Sequence, residues 1–229
     1  CENNISDGYK NLISFEKEYI PIFTYMVENV IIKKFVCMEH GKNLVSLYYY
    51  VKNGDKKARL TLAPIVNFRG FHTVNNKENI EEQQNIANNK VSLIFDGNQQ
   101  NPIYFYSSEG KYIKHDNDMF KNMYYIEEEK RGQMAKENHV VPGVYEIELE
   151  PNESKYVTFV CSLEQNIEEL DGKELINKEI VRLSTIIYNT DLLDEKKKES
   201  KAPDYINMVK NFTIATDNFV VYRPSFALY

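Results

Sequence analysis

The sequence predicts a mainly β fold, an antiparallel β-sandwich followed by C-terminal helices. Many short segments rich in β-branched and aromatic residues, each bounded by turn signals, run along most of the 229-residue chain. After Leu163 the apolar spacing changes from that of strands to that of an amphipathic helix. Because 42% of the residues are hydrophobic, the chain has enough apolar side chains for a sizeable core.

The strands are predicted in order from residue 22. Residues 22–27 and 30–38 flank a two-residue link, as in a hairpin. Residues 44–51 and 59–66 form the next predicted pair, because Asn-Gly-Asp at residues 53–55 is a strong turn signal. Further strands are predicted at residues 91–95, 103–106, 123–129, 143–149 and 156–163.

Residues 75–89 interrupt the strand pattern. They are rich in Asn, Gln and Glu, and Ile80 and Ile86 are their only large apolar residues. We therefore interpret this stretch as a polar surface loop.

The chain divides into a β-sandwich domain at residues 1–165, with the sandwich itself from about residue 15, and a helical linker at residues 166–229. Apolar residues spaced by three to five predict a helix near residues 172–192. The charged run that follows is typical of a solvated linker. Pro203 suits the first turn of a second helix, predicted at residues 203–217.

Charge and composition exclude some partners and favour others. The net charge of −6 and pI near 5.4 give no electrostatic footprint for nucleic acid or an anionic membrane, so neither is expected as a partner. A neutral, hydroxyl-rich glycan fits this balance. With 17 Tyr, 12 Phe and no Trp, any sugar-stacking platform must be built from Tyr or Phe, although the ordinary role of strand tyrosines is to fill a half-buried sheet surface.

The three cysteines lack the spacing of a zinc site. Cys37 and Cys161 lie in apolar strand-like runs and are expected to be buried reduced thiols, which favours a cytoplasmic location. Cys1 is interpreted as the place where a longer chain was cut. The alternative is the lipidated first residue of a lipoprotein. No segment approaches the roughly 18 apolar residues of a membrane span.

Catalytic motifs are absent from the sequence. It contains no G-x-S-x-G, P-loop or dinucleotide fingerprint, and its four histidines are far apart. We therefore expect no catalytic residue, no cofactor and no metal. The densest acidic run, Glu127 to Glu129, could in principle supply two carboxylates for glycoside hydrolysis. The competing interpretation is a solvated strand face beside Lys130 and Arg131.

Two polar constellations lie at predicted strand ends, where loops present side chains. They supply six candidate substrate-binding residues, because Arg and His suit sugar hydroxyls and Tyr rings suit the apolar sugar face. We predict that the six cluster at one end of the sandwich. In the alternative, structural interpretation, Arg131 pairs with Glu127 or Glu137 and holds two loops together. The six residues are Arg69, His72, Tyr124, Tyr125, Arg131 and Glu137.

Seven segments carry a resemblance to a known family. They are PIFTY at 21–25, KKFVCM at 33–38, GKN at 41–43, LTLAPIVNFR at 60–69 closed by His72, EKRG at 129–132, VPGVY at 141–145 and ATDNFVV at 215–221. In this order they resemble the N-terminal domain of bacterial and archaeal-type glycogen debranching enzymes. The resemblance implies a super-β-sandwich that precedes an (α/α)6 barrel, and the barrel is expected to carry the carboxylates that cleave α-1,6 branch linkages.

The expectation is therefore a non-catalytic N-terminal domain that supports an α-1,6-glucosidase barrel and contacts glucan, either glycogen or limit dextrin. The chain is expected to stop where the barrel begins, so the resemblance transfers no catalytic residue to it. The alternative from another functional class is an autonomous carbohydrate-binding or adhesive β-sandwich, anchored to lipid through Cys1.

Overall fold

The computed structural model describes residues 7–70, 72–78, 80–97, 101–190 and 203–220. A short 3-10 helix (Asp7–Asn11) precedes the strands. The strands in this part of the chain are β1 (Leu12–Lys17), β2 (Pro21–Val27), β3 (Val30–Met38), β4 (Leu44–Lys52), β5 (Ala58–Leu62), β6 (Glu82–Ala87), β7 (Lys90–Phe95), β8 (Ile103–Ser107), β9 (Lys111–Lys114), β10 (Met119–Tyr124), β11 (Lys136–Val140), β12 (Gly143–Leu149) and β13 (Ser154–Ser162). The helices are α1 (Ile126–Lys130), α2 (Gly172–Tyr188) and α3 (Pro203–Asp217).

The strands form one large sheet and two small ones. The large antiparallel sheet has the order β1-β2-β3-β4-β13-β8-β7-β6, the second has the order β5-β12-β9, and β10 pairs with β11. The predicted mainly β fold with C-terminal helices is confirmed.

The main core lies between the eight-stranded sheet and the three-stranded sheet. Buried side chains alternate with more exposed ones along β7 and β12, as the period of two in a strand requires. Tyr145 of β12 packs edge-on against Phe159 of β13, with ring centroids 5.7 Å apart. Its hydroxyl donates to the carbonyl of Asn89 at 2.9 Å, so this fully buried tyrosine leaves no unsatisfied polar group.

Helices α2 and α3 lie outside the sandwich core. Leu175 and Ile176 of α2 pack with apolar residues of the eight-stranded sheet, and Asp171 caps the helix by accepting from the amide of Lys173 at 2.7 Å. Leu183 and Ile187 of α2 pack with the buried residues of α3. The prediction for residues 203–217 is confirmed. Helix α2 ends at Tyr188, and the predicted linker at residues 194–201 lies outside the described residues.

The first predicted hairpin is confirmed as β2–β3. The second pairing is wrong, because β4 and β5 are not neighbours and belong to different sheets. Between them the buried Asn53 donates through its side-chain amide to the carbonyls of Lys56, at 2.7 Å, and Glu150, at 2.8 Å. These bonds tie the turn to the end of β12, so the chain crosses from one sheet to the other instead of folding back.

The predicted strand at residues 123–129 is also wrong beyond Tyr124. Strand β10 ends there, and Ile126–Lys130 form the helical turn α1. Glu and Lys are unfavourable in strands and favourable in helices, and Glu127 pairs with Lys130 at 2.7 Å across one turn. Glu127 and Glu129 therefore do not share a strand face.

The predicted loop at residues 75–89 contains an edge strand. Strand β6 pairs with β7 in the antiparallel register Glu82↔Phe95 to Ala87↔Lys90. The turn between them is formed by Asn88 and Asn89, which both adopt a positive φ, as two-residue hairpins require. The polar side chains of β6 suit the border of a sheet, where charge discourages pairing with another chain.

Candidate functional site

A buried carboxylate, Glu137, lies at the centre of the polar residues singled out by the sequence. It belongs to β11, and its side chain is 0% exposed. Val66 and Val140 exchange two backbone hydrogen bonds of 2.9 Å, which lays the segment that follows β5 across β11. The amide of Asn138 also donates to the carbonyl of Asn75 at 2.7 Å. These bonds bring Arg69 to the carboxylate of Glu137, and the pairing of β10 with β11 brings Tyr125 to it.

Glu137 accepts four hydrogen bonds. The Arg69 guanidinium donates through Nε to Oε1 at 2.6 Å and through Nη2 to Oε2 at 3.2 Å, the two-pronged geometry that Arg forms with carboxylates. The amide of Asn75 donates to Oε1 at 2.9 Å. The hydroxyl of Tyr125 donates to Oε2 at 2.9 Å. We call Arg69, Asn75, Tyr125 and Glu137 the Glu137 cluster.

These partners hold Glu137 in its charged form. Burial acts to raise the pKa of its carboxyl, but the hydrogen bonds from Arg69, Asn75 and Tyr125 outweigh burial and lower the pKa to about 2. In turn, the hydrogen bond to Glu137 raises the pKa of Arg69. Glu137 is thus a fixed anion at neutral pH and has no proton to give as a general acid.

A buried histidine lies beside the Glu137 cluster. Nε2 of His139 lies 3.3 Å from the hydroxyl oxygen of Tyr125 and 3.7 Å from Oε2 of Glu137. The sequence analysis missed both His139 and Asn75. A signal for His139 existed, because residues two apart on a strand share a face. Asn75 contributes its backbone amide, which leaves no mark in the sequence.

The remaining candidates lie near the cluster in sequence but have other partners. Tyr124 is exposed, and its hydroxyl donates to Glu129 on α1. Arg131 is exposed and pairs with Glu128 at 3.1 Å, so its predicted pairing with Glu127 or Glu137 is wrong. A neighbour one helical turn away competes more easily than a buried carboxylate. His72 is exposed in the turn closed by the amide of Thr73 and the carbonyl of Gly70 at 3.1 Å.

The carboxylate of Glu137 is saturated by its donors, and the side chain of Arg69, its main partner, is 31% exposed. Within the described residues, no group of three or more His, Cys, Asp or Glu side chains could hold a metal ion. In the same part of the chain, each helix is too short or too polar to cross a membrane.

Comparison with known proteins gives one family match. The family described as "Glycogen debranching enzyme N terminal" matches residues 2–156. No curated protein matches the chain.

Solved structures similar to it include the following two. A polysaccharide lyase is 10% identical, with a TM-score of 0.38 over 66% of this chain and 22% of its own. A putative kojibiose phosphorylase from the human microbiome is 8% identical, with a TM-score of 0.31 over 86% of this chain and 23% of its own. The chain therefore spans less than a quarter of either structure.

Proposed function

Because the chain belongs to the family of glycogen debranching enzyme N-terminal domains, we propose that it is the non-catalytic N-terminal domain of a glycogen-debranching α-1,6-glucosidase. It supports an (α/α)6 catalytic domain and contacts the glucan that this domain acts on. The family match over residues 2–156 carries the proposal. The β-sandwich and the absence of a catalytic motif agree with an accessory role.

The Glu137 cluster supports the contact with glucan or with the catalytic domain. Its buried anion fixes Arg69 in one orientation, and Arg69 also donates to the carbonyl of Gly70, so the cluster presents a rigid polar surface. His72 lies three residues from Arg69 on the exposed side. Glycogen is neutral, so the net charge of −6 does not oppose its approach. We also propose a cytoplasmic location, because the free thiols of Cys37 and Cys161 suit a reducing compartment.

The test uses the full-length protein with a branched limit dextrin as substrate. His72→Ala changes an exposed side chain outside the Glu137 cluster and is measured for KM, kcat and melting temperature. A glucan-contact role predicts a raised KM at an unchanged melting temperature. A scaffold role predicts a lowered melting temperature at an unaltered KM. If the full-length protein releases no glucose from limit dextrin at all, the proposal is wrong, and a lipid-anchored adhesive domain is then tested by membrane fractionation.

The isolated 229-residue chain is expected to release no glucose from limit dextrin. Glu127 and Glu129 lie on the exposed turn α1, where Glu127 pairs with Lys130 and Glu129 accepts from Tyr124. Neither carboxylate occupies the enclosed pocket in which a glycosidase raises the pKa of its acid. Glucose release by the chain that is abolished in Glu127→Gln or Glu129→Gln would contradict this.

A further inference from the structure

Three tyrosines form a row on the outer face of the eight-stranded sheet. Tyr48 and Tyr50 are two residues apart on β4 and share a face, and Tyr156 of β13 lies directly opposite Tyr50. The ring centroids of Tyr48 and Tyr156 are 5.7 Å apart and nearly parallel, at 12°. Those of Tyr50 and Tyr156 are 5.0 Å apart. We call these three residues the tyrosine row.

The inner end of the tyrosine row is held rigidly. Tyr48 packs against Phe35, with ring centroids 6.0 Å apart, and against the first turn of α2. A Cβ atom placed on Gly172 would lie only 2.8 Å from Cδ2 of Tyr48, so the helix touches the ring. Rings fixed in this way lose little conformational entropy when a ligand binds.

The middle of the row faces solvent. Tyr156 lies between Tyr48 and Tyr50 and is 61% exposed despite these two aromatic neighbours. Most of the described tyrosines are buried in the core or half-buried on the sheet. A large exposed ring within an aromatic row is therefore a candidate contact surface.

Polar groups border the aromatic surface. The hydroxyl of Tyr50 lies 3.5 Å from Oγ of Ser154. Burial raises the pKa of Tyr48, and the charge of nearby Asp171 raises it further. Asp171 is exposed and offers carboxylate oxygens as acceptors. The surface therefore combines flat apolar rings with hydroxyl donors and oxygen acceptors, and no member of the row carries a formal charge.

We propose that the tyrosine row binds a neutral α-glucan chain. A hexose ring has an apolar C–H face that packs on an aromatic ring and a rim of hydroxyls that hydrogen-bond, and a tyrosine offers both partners. The absence of charge in the row matches the neutrality of the polymer. Exposed Tyr156 makes the main ring contact, and Tyr48 and Tyr50 flank it. This proposal rests on the proposed function and gives the domain a glucan surface separate from the Glu137 cluster.

The test is calorimetric titration of the 229-residue chain with maltoheptaose and with limit dextrin. Tyr156→Thr removes the ring and keeps a residue favourable in strands. It is expected to weaken binding about tenfold, as the loss of a central aromatic contact does. Tyr156→Phe keeps the ring and is expected to retain most of the affinity. The matched control is Tyr188→Ala, which removes another exposed tyrosine, 71% exposed, from α2.

The outcomes separate this proposal from the proposed function. Equal affinities for Tyr156→Thr and Tyr188→Ala overturn the tyrosine row. If His72→Ala weakens binding in the same titration and Tyr156→Thr does not, the proposal for the tyrosine row is wrong, but the proposed glucan contact of the domain stands. If the unaltered chain binds neither ligand, the proposal for the tyrosine row is also wrong. The supporting role of the domain is then judged from the activity of the full-length protein. Melting temperatures of all variants confirm that they fold.

Discussion

Arg182 of α2 and Asp217 at the end of α3 form a two-pronged ion pair, with Nη1 to Oδ1 at 3.0 Å and Nη2 to Oδ2 at 2.6 Å. The same guanidinium donates to Glu179 through Nε at 2.8 Å and Nη2 at 2.7 Å. The side chains of Arg182 and Asp217 are only 24% and 12% exposed, so the pair is partly protected from solvent screening. It joins the C-terminal end of α3 to the middle of α2.

Arg182→Ala is expected to loosen α3 while the sandwich stays folded. The change leaves Glu179 and Asp217 without their shared cation, which costs about 2 kcal/mol for hydrogen bonds to charged groups. Hydrogen exchange should therefore be faster at the backbone amides of residues 204–217 and unchanged in β7 and β8. The control is Arg131→Ala, whose exposed pair with Glu128 contributes little. Unchanged exchange in α3 would show that the ion pair does not hold it.

Glu137→Gln is expected to destabilise the domain by about 3 kcal/mol. It leaves the Arg69 guanidinium without its buried counter-charge, and breaking one side of such a pair is strongly unfavourable. Tyr125→Phe removes one donor and is expected to cost about 1 kcal/mol. Urea unfolding of the two variants measures both changes in the free energy of unfolding. Glu127→Gln is the control, because its carboxylate is exposed. Similar midpoints for Glu137→Gln and Glu127→Gln would contradict the prediction.

The stability that Glu137 contributes should depend on pH. Its pKa is about 2 in the folded protein and near its ordinary value of 4.5 in the unfolded chain, so the unfolded chain takes up this proton at a higher pH. The contribution is complete above the unfolded pKa and is lost as the pH falls from about 4.5 towards 2. Urea unfolding between about pH 6 and pH 3 should show the difference between wild type and Glu137→Gln shrinking with acidification. A difference independent of pH would contradict this.

Asn53→Ala is expected to cost about 2 kcal/mol of unfolding free energy. The amide of this buried residue donates to the carbonyls of Lys56, Leu149 and Glu150 at 2.7, 3.3 and 2.8 Å, and all three acceptors lose this donor in the variant. Asn101→Ala, in an exposed bend, is the matched control. Thermal unfolding compares the two. Equal melting temperatures for Asn53→Ala and Asn101→Ala would show that the Asn53 amide does not stabilise the crossing between the sheets.

Local patterns predicted elements better than pairings. Short apolar runs between turn signals located β7, β8, β12 and β13. The turn at Asn53 does not show its outcome in the same way, because the same residue types occur whether the chain folds back into a hairpin or crosses to another sheet. Only the distant carbonyls of residues 149 and 150 decide between these two outcomes. Likewise, the predicted strand at residues 123–129 began in apolar residues and was extended too far. It included the glutamate run of α1, which favours a helical turn.

The site was predictable in its residue types and not in its contacts. Arg69 and Glu137 are 68 residues apart, and no local signal states that they meet. Arg131, in contrast, was expected to reach across loops, but its neighbour Glu128 is closer. Side-chain chemistry therefore identified the polar surface, and the packing of β11 against the segment after β5 selected which of its members touch.

The central pair of the eight-stranded sheet has a consequence for how the domain is made. Strands β4 and β13 pair from Leu44↔Ser162 to Lys52↔Ser154, so their partners are about 100 residues apart. Closing such a loop costs entropy before any pairing is gained, which slows folding. On the ribosome, the hairpins β2–β3 and β6–β7 can form early, but β4 keeps an open edge until β13 has been synthesised. The open edge of β4 is therefore exposed to aggregation until β13 emerges.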